Sequence, residues 1–236
     1  MFNKKNNQAN QVTLIRNYSC IASEAIQKLQ TNLSLSDPDH PVKVIGVTSS
    51  IQSEGKSTLT ANMANIYAFR GAKTIIVSLD LRRPSIHHFY HLENKVGITE
   101  YVTGEVSLDD IIVHTEKDVD VINSGTISPF PTKILSSPKL DELFAELRKR
   151  YDYILVDSAP VLLVTDATLA ARLVDGYIFV AAQHITKKKN IKASVSSLRG
   201  NGVNVIGVVV TQATDFEGSD STTDSYRYYY KKKKQY

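Results

Sequence analysis

The chain has one cysteine, Cys20, in 236 residues, and no tryptophan. A single thiol cannot close an internal disulfide, so the fold has no disulfide framework, and a reducing cytosol suits it. Long apolar runs are also missing. Pieces such as "YIFVAA" at 177–182 are strand-sized, well short of the roughly 20 residues that span a bilayer. The opening "MFNKKNNQAN" has no apolar segment of the kind a secretory signal needs. No internal repeat and no nucleic-acid-binding motif is visible. These absences predict a cytoplasmic chain with no nucleic-acid partner.

What is present looks globular: 42% hydrophobic and 22% charged residues, enough for one large α/β domain. The formal net charge of +4 is modest, but it includes two local runs, "KKK" at 187–189 and "KKKK" at 231–234. Such runs either meet an anionic surface or are solvated faces. Apolar strands alternate with amphipathic helices. The strands are "VKVIGVTS" (42–49), "KTIIVSLD" (73–80), "DVDVINSG" (118–125), "YDYILVDS" (151–158), "GYIFVAA" (176–182) and "VNVIGVVVT" (203–211). Helices are expected over 23–35, 56–70, 137–150, 165–173 and 186–199, with 81–118 irregular apart from short helical turns. Ser137 suits an N-cap and Pro138 the first helical position. Several strands are continuously apolar, as in a parallel sheet buried on both faces. The fold class expected is α/β: a doubly wound, mostly parallel sheet with helices on both sides, of the P-loop NTPase, deviant Walker A type that the run "EGKST" (54–58) marks. Its parts would be an N-terminal arm and helix (1–40), a nucleotide-binding domain (41–213) and a flexible tyrosine-rich tail (214–236).

Chemistry concentrates at "SSIQSEGKSTL" (49–59), which a strand enters and a helix leaves. The pattern is that of a P-loop with Ser50 in place of the first glycine. Backbone N–H groups of Ser53, Glu54, Gly55, Lys56, Ser57 and Thr58 can wrap a triphosphate, helped by the helix N-terminus. Lys56 would reach the β- and γ-phosphates and the Ser57 hydroxyl would bind Mg²⁺. Asp157, ending "YILVD", occupies the position of a second-strand Mg²⁺ carboxylate. Asp80 ends a third strand, and Arg82 and Arg83 follow it, adding positive potential. The expected catalytic set is Lys56, Asp80 and Asp157; the expected metal set is Ser57, Asp80 and Asp157. Gln212 is placed where it could approach an adenine edge. Asp166 reads as a helix cap, and His87, His88 and His91 lack the further ligands a metal site needs.

With these motifs on the page, the chain resembles the bacterial tyrosine kinases of the CpsD type of capsular and exopolysaccharide synthesis. The resemblance runs from about Ile21 to Gln212 and includes "SEAIQKLQTNL", "LDLRRPSIH", "GITEYVTGE", "SGTISPFPTKILSS" and "YDYILVDSAPVLLVTDA". It implies a kinase that uses ATP and Mg²⁺ to phosphorylate its own tail, here Tyr226, Tyr228, Tyr229, Tyr230 and Tyr236. It also implies a separate membrane activator that recruits the kinase to the inner face of the cell membrane, a cognate phosphotyrosine phosphatase, and subunit pairing through Glu24, Gln27 and Gln30. The sequence departs from the family pattern at three places. Ser78 stands where an aspartate is usual, Gln27 and Gln30 stand where arginines are usual, and Ser50 replaces a glycine. The first predicts weakened turnover, and the second weakened or absent ring formation, since glutamine lacks arginine's charge-assisted pairing. Two other readings stay open: a degenerate nucleotide-binding relative that serves the same machinery, and a positioning ATPase.

Overall fold

A computed structural model describes residues 14, 20–36 and 41–213. The order of elements is α1 (Ile21–Ser36), β1 (Val44–Ser49), α2 (Lys56–Phe69), β2 (Thr74–Leu79), α3 (Ile86–Phe89), α4 (Ile98–Thr103), α5 (Leu108–Ile111) and β3 (Ile112–His114). Then come β4 (Val119–Ile122), α6 (Pro131–Leu135), α7 (Pro138–Arg150), β5 (Tyr153–Ser158), α8 (Asp166–Ala170), β6 (Gly176–Ala182), α9 (Lys188–Gly200) and β7 (Val205–Thr211). The sheet runs β3-β4-β2-β5-β1-β6-β7. Every pairing is parallel except β3 with β4.

The central strands β1, β2, β5 and β6 are buried along nearly their whole length, which is why they read as largely apolar runs without polar alternation. One face carries α1, α2 and α3 over Ile45, Val47, Ile76, Val121 and Leu155. The other carries α4 to α8 over Val44, Ile75, Val77 and Val156, and α9 over Tyr177 and Phe179. In α7, Leu140, Leu143, Phe144 and Leu147 point inward at helical spacing, and Ser137 caps the helix by accepting from the Lys139 N–H. Each such side chain contributes about 1.5–3 kcal/mol when buried.

The segment 81–118 is more regular than expected, holding α3 and the three-residue strand β3 beside the two turns. A three-residue strand has too few side chains to show a period. It exists because β4 offers an edge to pair with, in register Ile112↔Ile122. No helix among the described residues is long and apolar enough to cross a membrane.

Candidate active site

The carboxyl ends of β1, β2 and β5 meet where β1 runs into the loop 50–55. Gly55 sits in the left-handed region at φ 91° and is the residue from which α2 springs. Any side chain there would be strained and would press on Thr211 at 3.3 Å. Thr211 Oγ1 donates to the Glu54 carbonyl, and Gln212 Nε2 donates to the Ser53 carbonyl at 3.0 Å. Gln212 therefore braces the loop backbone, a placement its spacing did not reveal.

Glu54 turns inward and is fully buried. Its carboxylate accepts from the Ser50 hydroxyl at 2.8 Å, from the Ile51 N–H at 2.9 Å and from Thr186 Oγ1. Only the Glu54 backbone is left to face a phosphate. The hydroxyl brought by Ser50 is thus part of an internal brace that a glycine could not supply. Thr58 is exposed on the first turn of α2.

Lys56, Ser57, Asp80 and Asp157 form one cluster. Lys56 Nζ lies 2.9 Å from Asp80 and 3.1 Å from Asp157, and Ser57 Oγ donates to Asp157 at 2.8 Å. All four side chains are buried. Burial alone would push the Lys56 ammonium down, but Asp157 and Asp80 together hold it above the ordinary lysine value. Burial pushes the Asp157 carboxyl up, aided by Asp80 and opposed by Lys56. Asp80 also accepts from the Arg83 N–H at 3.0 Å, and the Arg83 guanidinium reaches Gln52 at 2.7 Å. Arg83 thereby ties the loop after β2 to the P-loop.

Arg82 takes a different place from the one expected. Its guanidinium makes a two-point contact with Asp166, at 2.8 and 3.2 Å. Asp166 is not a cap: Thr165 holds the N-cap position of α8, while the buried Asp166 carboxylate pairs with Arg82. A salt bridge over 84 positions leaves no local trace in a sequence.

Ser78 and Asp157 are partners in the β2–β5 register. Ser78 Oγ is buried without a hydrogen-bond partner, and so is Asn123 Oδ1, just beyond β4. Position 78 is therefore a polar, unsatisfied spot beside Asp157.

Two carboxylates and one hydroxyl suit Mg²⁺, which takes one or two protein carboxylates and completes its shell with phosphate oxygens and water. The unsatisfied Ser78 hydroxyl adds a further oxygen next to that set. Among the described residues no group of three or more His, Cys, Asp or Glu could hold a metal by itself. The His87 and His88 rings lie tilted against one another, with centroids 3.9 Å apart.

Of the residues expected to pair subunits, Glu24 is exposed. Gln30 is not available: it is buried against α2 and donates to the Met63 carbonyl at 3.1 Å. Gln27 accepts from Arg70 at 2.9 Å, also within the chain. The tyrosines Tyr226, Tyr228, Tyr229, Tyr230 and Tyr236 lie outside the described residues.

A parallel sheet with a glycine-hinged loop at the N-terminus of a buried helix, and a lysine held between two strand-end carboxylates, defines a P-loop phosphate-binding protein. Residues 42–185 match the family model described as "AAA domain". The tyrosine-protein kinase YwqD of Bacillus subtilis (strain 168) is 32% identical over 80% of this chain and 80% of its own. The tyrosine-protein kinase CpsD of Streptococcus pneumoniae is 34% identical over 88% of this chain and 89% of its own. Among solved structures, the kinase domain of the Escherichia coli tyrosine kinase ETK superposes with a TM-score of 0.82 at 26% identity, covering 90% of this chain and 86% of that one. The septum site-determining protein MinD of Pyrococcus horikoshii, complexed with Mg-ADP, has a TM-score of 0.60 at 22% identity, covering 71% and 69%, and shares the fold. The chain belongs to the bacterial tyrosine-protein kinase family.

Proposed function

We propose that this chain uses Mg-ATP to phosphorylate tyrosines of its own C-terminal cluster, Tyr226 to Tyr236, and so regulates capsular or exopolysaccharide synthesis and export. The observation that carries the proposal is the buried cluster of Lys56 between Asp80 and Asp157, with Ser57 bonded to Asp157.

The backbone N–H groups of 53–58 hold the phosphates. With nucleotide bound, Lys56 would turn from the carboxylates to the β- and γ-phosphates, and Ser57, Asp80 and Asp157 would hold Mg²⁺. When bound, the metal neutralises the charge that builds on the transferring phosphoryl group. Transfer forms a bond from the phenol oxygen to the γ-phosphorus and breaks the one to the β–γ bridging oxygen. ADP leaves, and the phenolic proton passes to a carboxylate. Asp80 is the better placed of the two, because Asp157 is level with Ser78 and Asp80 lies two residues nearer the strand end. A phenol with an ordinary pKa of about 10 needs that help at neutral pH.

A membrane activator that brings the kinase to the inner membrane face, and a phosphatase that resets the tail, complete the cycle. The test is mass spectrometry of the tail after incubation with Mg-ATP and the activator's cytoplasmic segment. Phosphotyrosine within 226–236 is the expected result. Nucleotide binding without phosphotyrosine would sink the proposal.

One observation favours a second reading, a nucleotide-binding relative with little transfer activity. Ser78 puts an unsatisfied hydroxyl where the family usually has a carboxylate. Activity that appears only after Ser78→Asp would establish that reading instead.

A further inference from the structure

The stretch from Gly176 to Thr214 contains no Asp or Glu, and its lysines and arginine all fall on one element. Lys187, Lys188, Lys189, Lys192 and Arg199 lie on α9 and the residue before it, and all five are exposed. None is in an ion pair among the described residues. Three arginines elsewhere on the domain behave differently: Arg148 pairs with Asp175, Arg150 with Asp109 and Glu146, and Arg172 with Asp141. The inner side of α9 is spent on the core through Ile191, Val195 and Leu198. Its outer face is therefore a cationic strip with no counter-charge from the domain.

The segment that follows β7 has the opposite charge. Residues 215–224, "DFEGSDSTTD", carry Asp215, Glu217, Asp220 and Asp224 and no basic residue. The end of the strand that precedes it is placed. Gln183 N–H donates to the Thr211 carbonyl at 2.9 Å, so β7 ends beside the turn that leads into α9. That turn touches the P-loop, because Thr186 hydrogen-bonds Glu54.

We propose that the acidic segment 215–224 docks on the outer face of α9 of its own chain, against Lys187, Lys188, Lys189, Lys192 and Arg199. A rise of about 1.5 Å per residue makes the face from Lys187 to Arg199 roughly 18 Å long, and a fully extended ten-residue segment can span up to about 33 Å. Tethering a few residues away supplies an effective concentration in the millimolar range, which lets several weak ion pairs act together. The docked segment holds the tyrosines that follow it against the domain's own surface. The inference concerns the linker's charge and not the chemistry of the site, so it stands or falls without nucleotide.

The test measures a distance between two spin labels in the full-length protein without ATP. Cys20→Ser removes the single thiol, and Ala193→Cys on α9 with Ser219→Cys in the acidic segment accept the labels. A defined short-distance population is expected. It should fall at least about fivefold when Lys187, Lys188, Lys189 and Lys192 are all changed to Glu, and equally in about 1 M salt, where charges are screened within roughly 3 Å. Changing the four tail acids to Lys should abolish it as well, and combining both reversals should bring it back. A short population indifferent to either reversal, or absent from the parent protein, overturns the proposal. So does flotation with phosphatidylglycerol vesicles that needs the four lysines while the labels stay far apart, since the strip would then serve lipid. Unchanged melting temperatures show that the reversed proteins remain folded.

Discussion

Lys56 carries the largest residue-scale consequence, because its ammonium is held between two buried carboxylates, Asp80 and Asp157. Lys56→Met should lower tail phosphorylation by about 100-fold or more, as expected for loss of a group that stabilises transition-state charge. Phosphotyrosine measured by mass spectrometry at the level of the parent protein would exclude this cluster as the site of transfer. Its effect on stability has the opposite ingredients: removing the ammonium leaves Asp80 and Asp157 facing each other in a buried space. Ser78 makes the complementary case. It lies in the row of Asp157, and its hydroxyl has no partner. Ser78→Asp adds a carboxylate beside the metal set, so tail phosphorylation should rise, and an unchanged rate would show that the serine costs nothing. The same substitution should make activity more dependent on Mg²⁺, since a further buried negative charge needs a cation to offset it.

At the scale of elements, two contacts decide how the central strands are set. Gly46 on β1 has no room for a side chain: a Cβ would lie 2.4 Å from the Tyr177 ring of neighbouring β6. The ring cannot retreat, because its hydroxyl donates to the Ala167 carbonyl at 3.0 Å. Gly46→Ala should therefore cost about 1–3 kcal/mol or more through overpacking, read as a lowered urea midpoint. A midpoint equal to the parent's would mean that the sheet yields here. Asp175, at the foot of β6, accepts from the Lys43 and Val44 N–H groups at 2.8 and 2.7 Å and pairs with Arg148. Burial pushes its carboxyl up, but these partners outweigh burial and hold it below the ordinary carboxylate range. A group depressed in this way adds stability above its unfolded pKa of about 3.9, and that stability is lost as pH falls through the folded value. Asp175→Ala should then cost about 1–3 kcal/mol at neutral pH. The gap from the parent protein should close below about pH 4, and a gap constant from pH 7 to pH 3 would refute the assignment.

For the whole molecule, Mg-nucleotide should behave as a clamp on the folded state, raising stability by about 2.7 kcal/mol at a hundredfold excess over the dissociation constant. Calorimetry of the Lys56→Met protein should show most of that gain missing. Assembly follows from where α1 spends its side chains. Gln30 is sealed against Met63, and Gln27 binds Arg70 of the same chain, so a stable octamer at low micromolar concentration in light scattering would contradict this account. Much of this was legible from residues alone. Unbroken apolar strands mean burial on two faces, and a glycine-lysine-serine run between strand and helix means a phosphate loop, because these signals lie within a few neighbouring positions. The short strand β3, the pairing of Arg82 with Asp166, the brace of Glu54 against Ser50 and Thr186, and the inward turn of Gln30 were not legible. Each joins residues remote in the chain or depends on which way one side chain turns in a crowded interior. Local residue patterns were enough to read the class of fold, the phosphate loop and the carboxylates at the neighbouring strand ends. Which charges those groups face depends on the folded arrangement, since long-range contacts form where strands are laid side by side and no local pattern records which ones they will be.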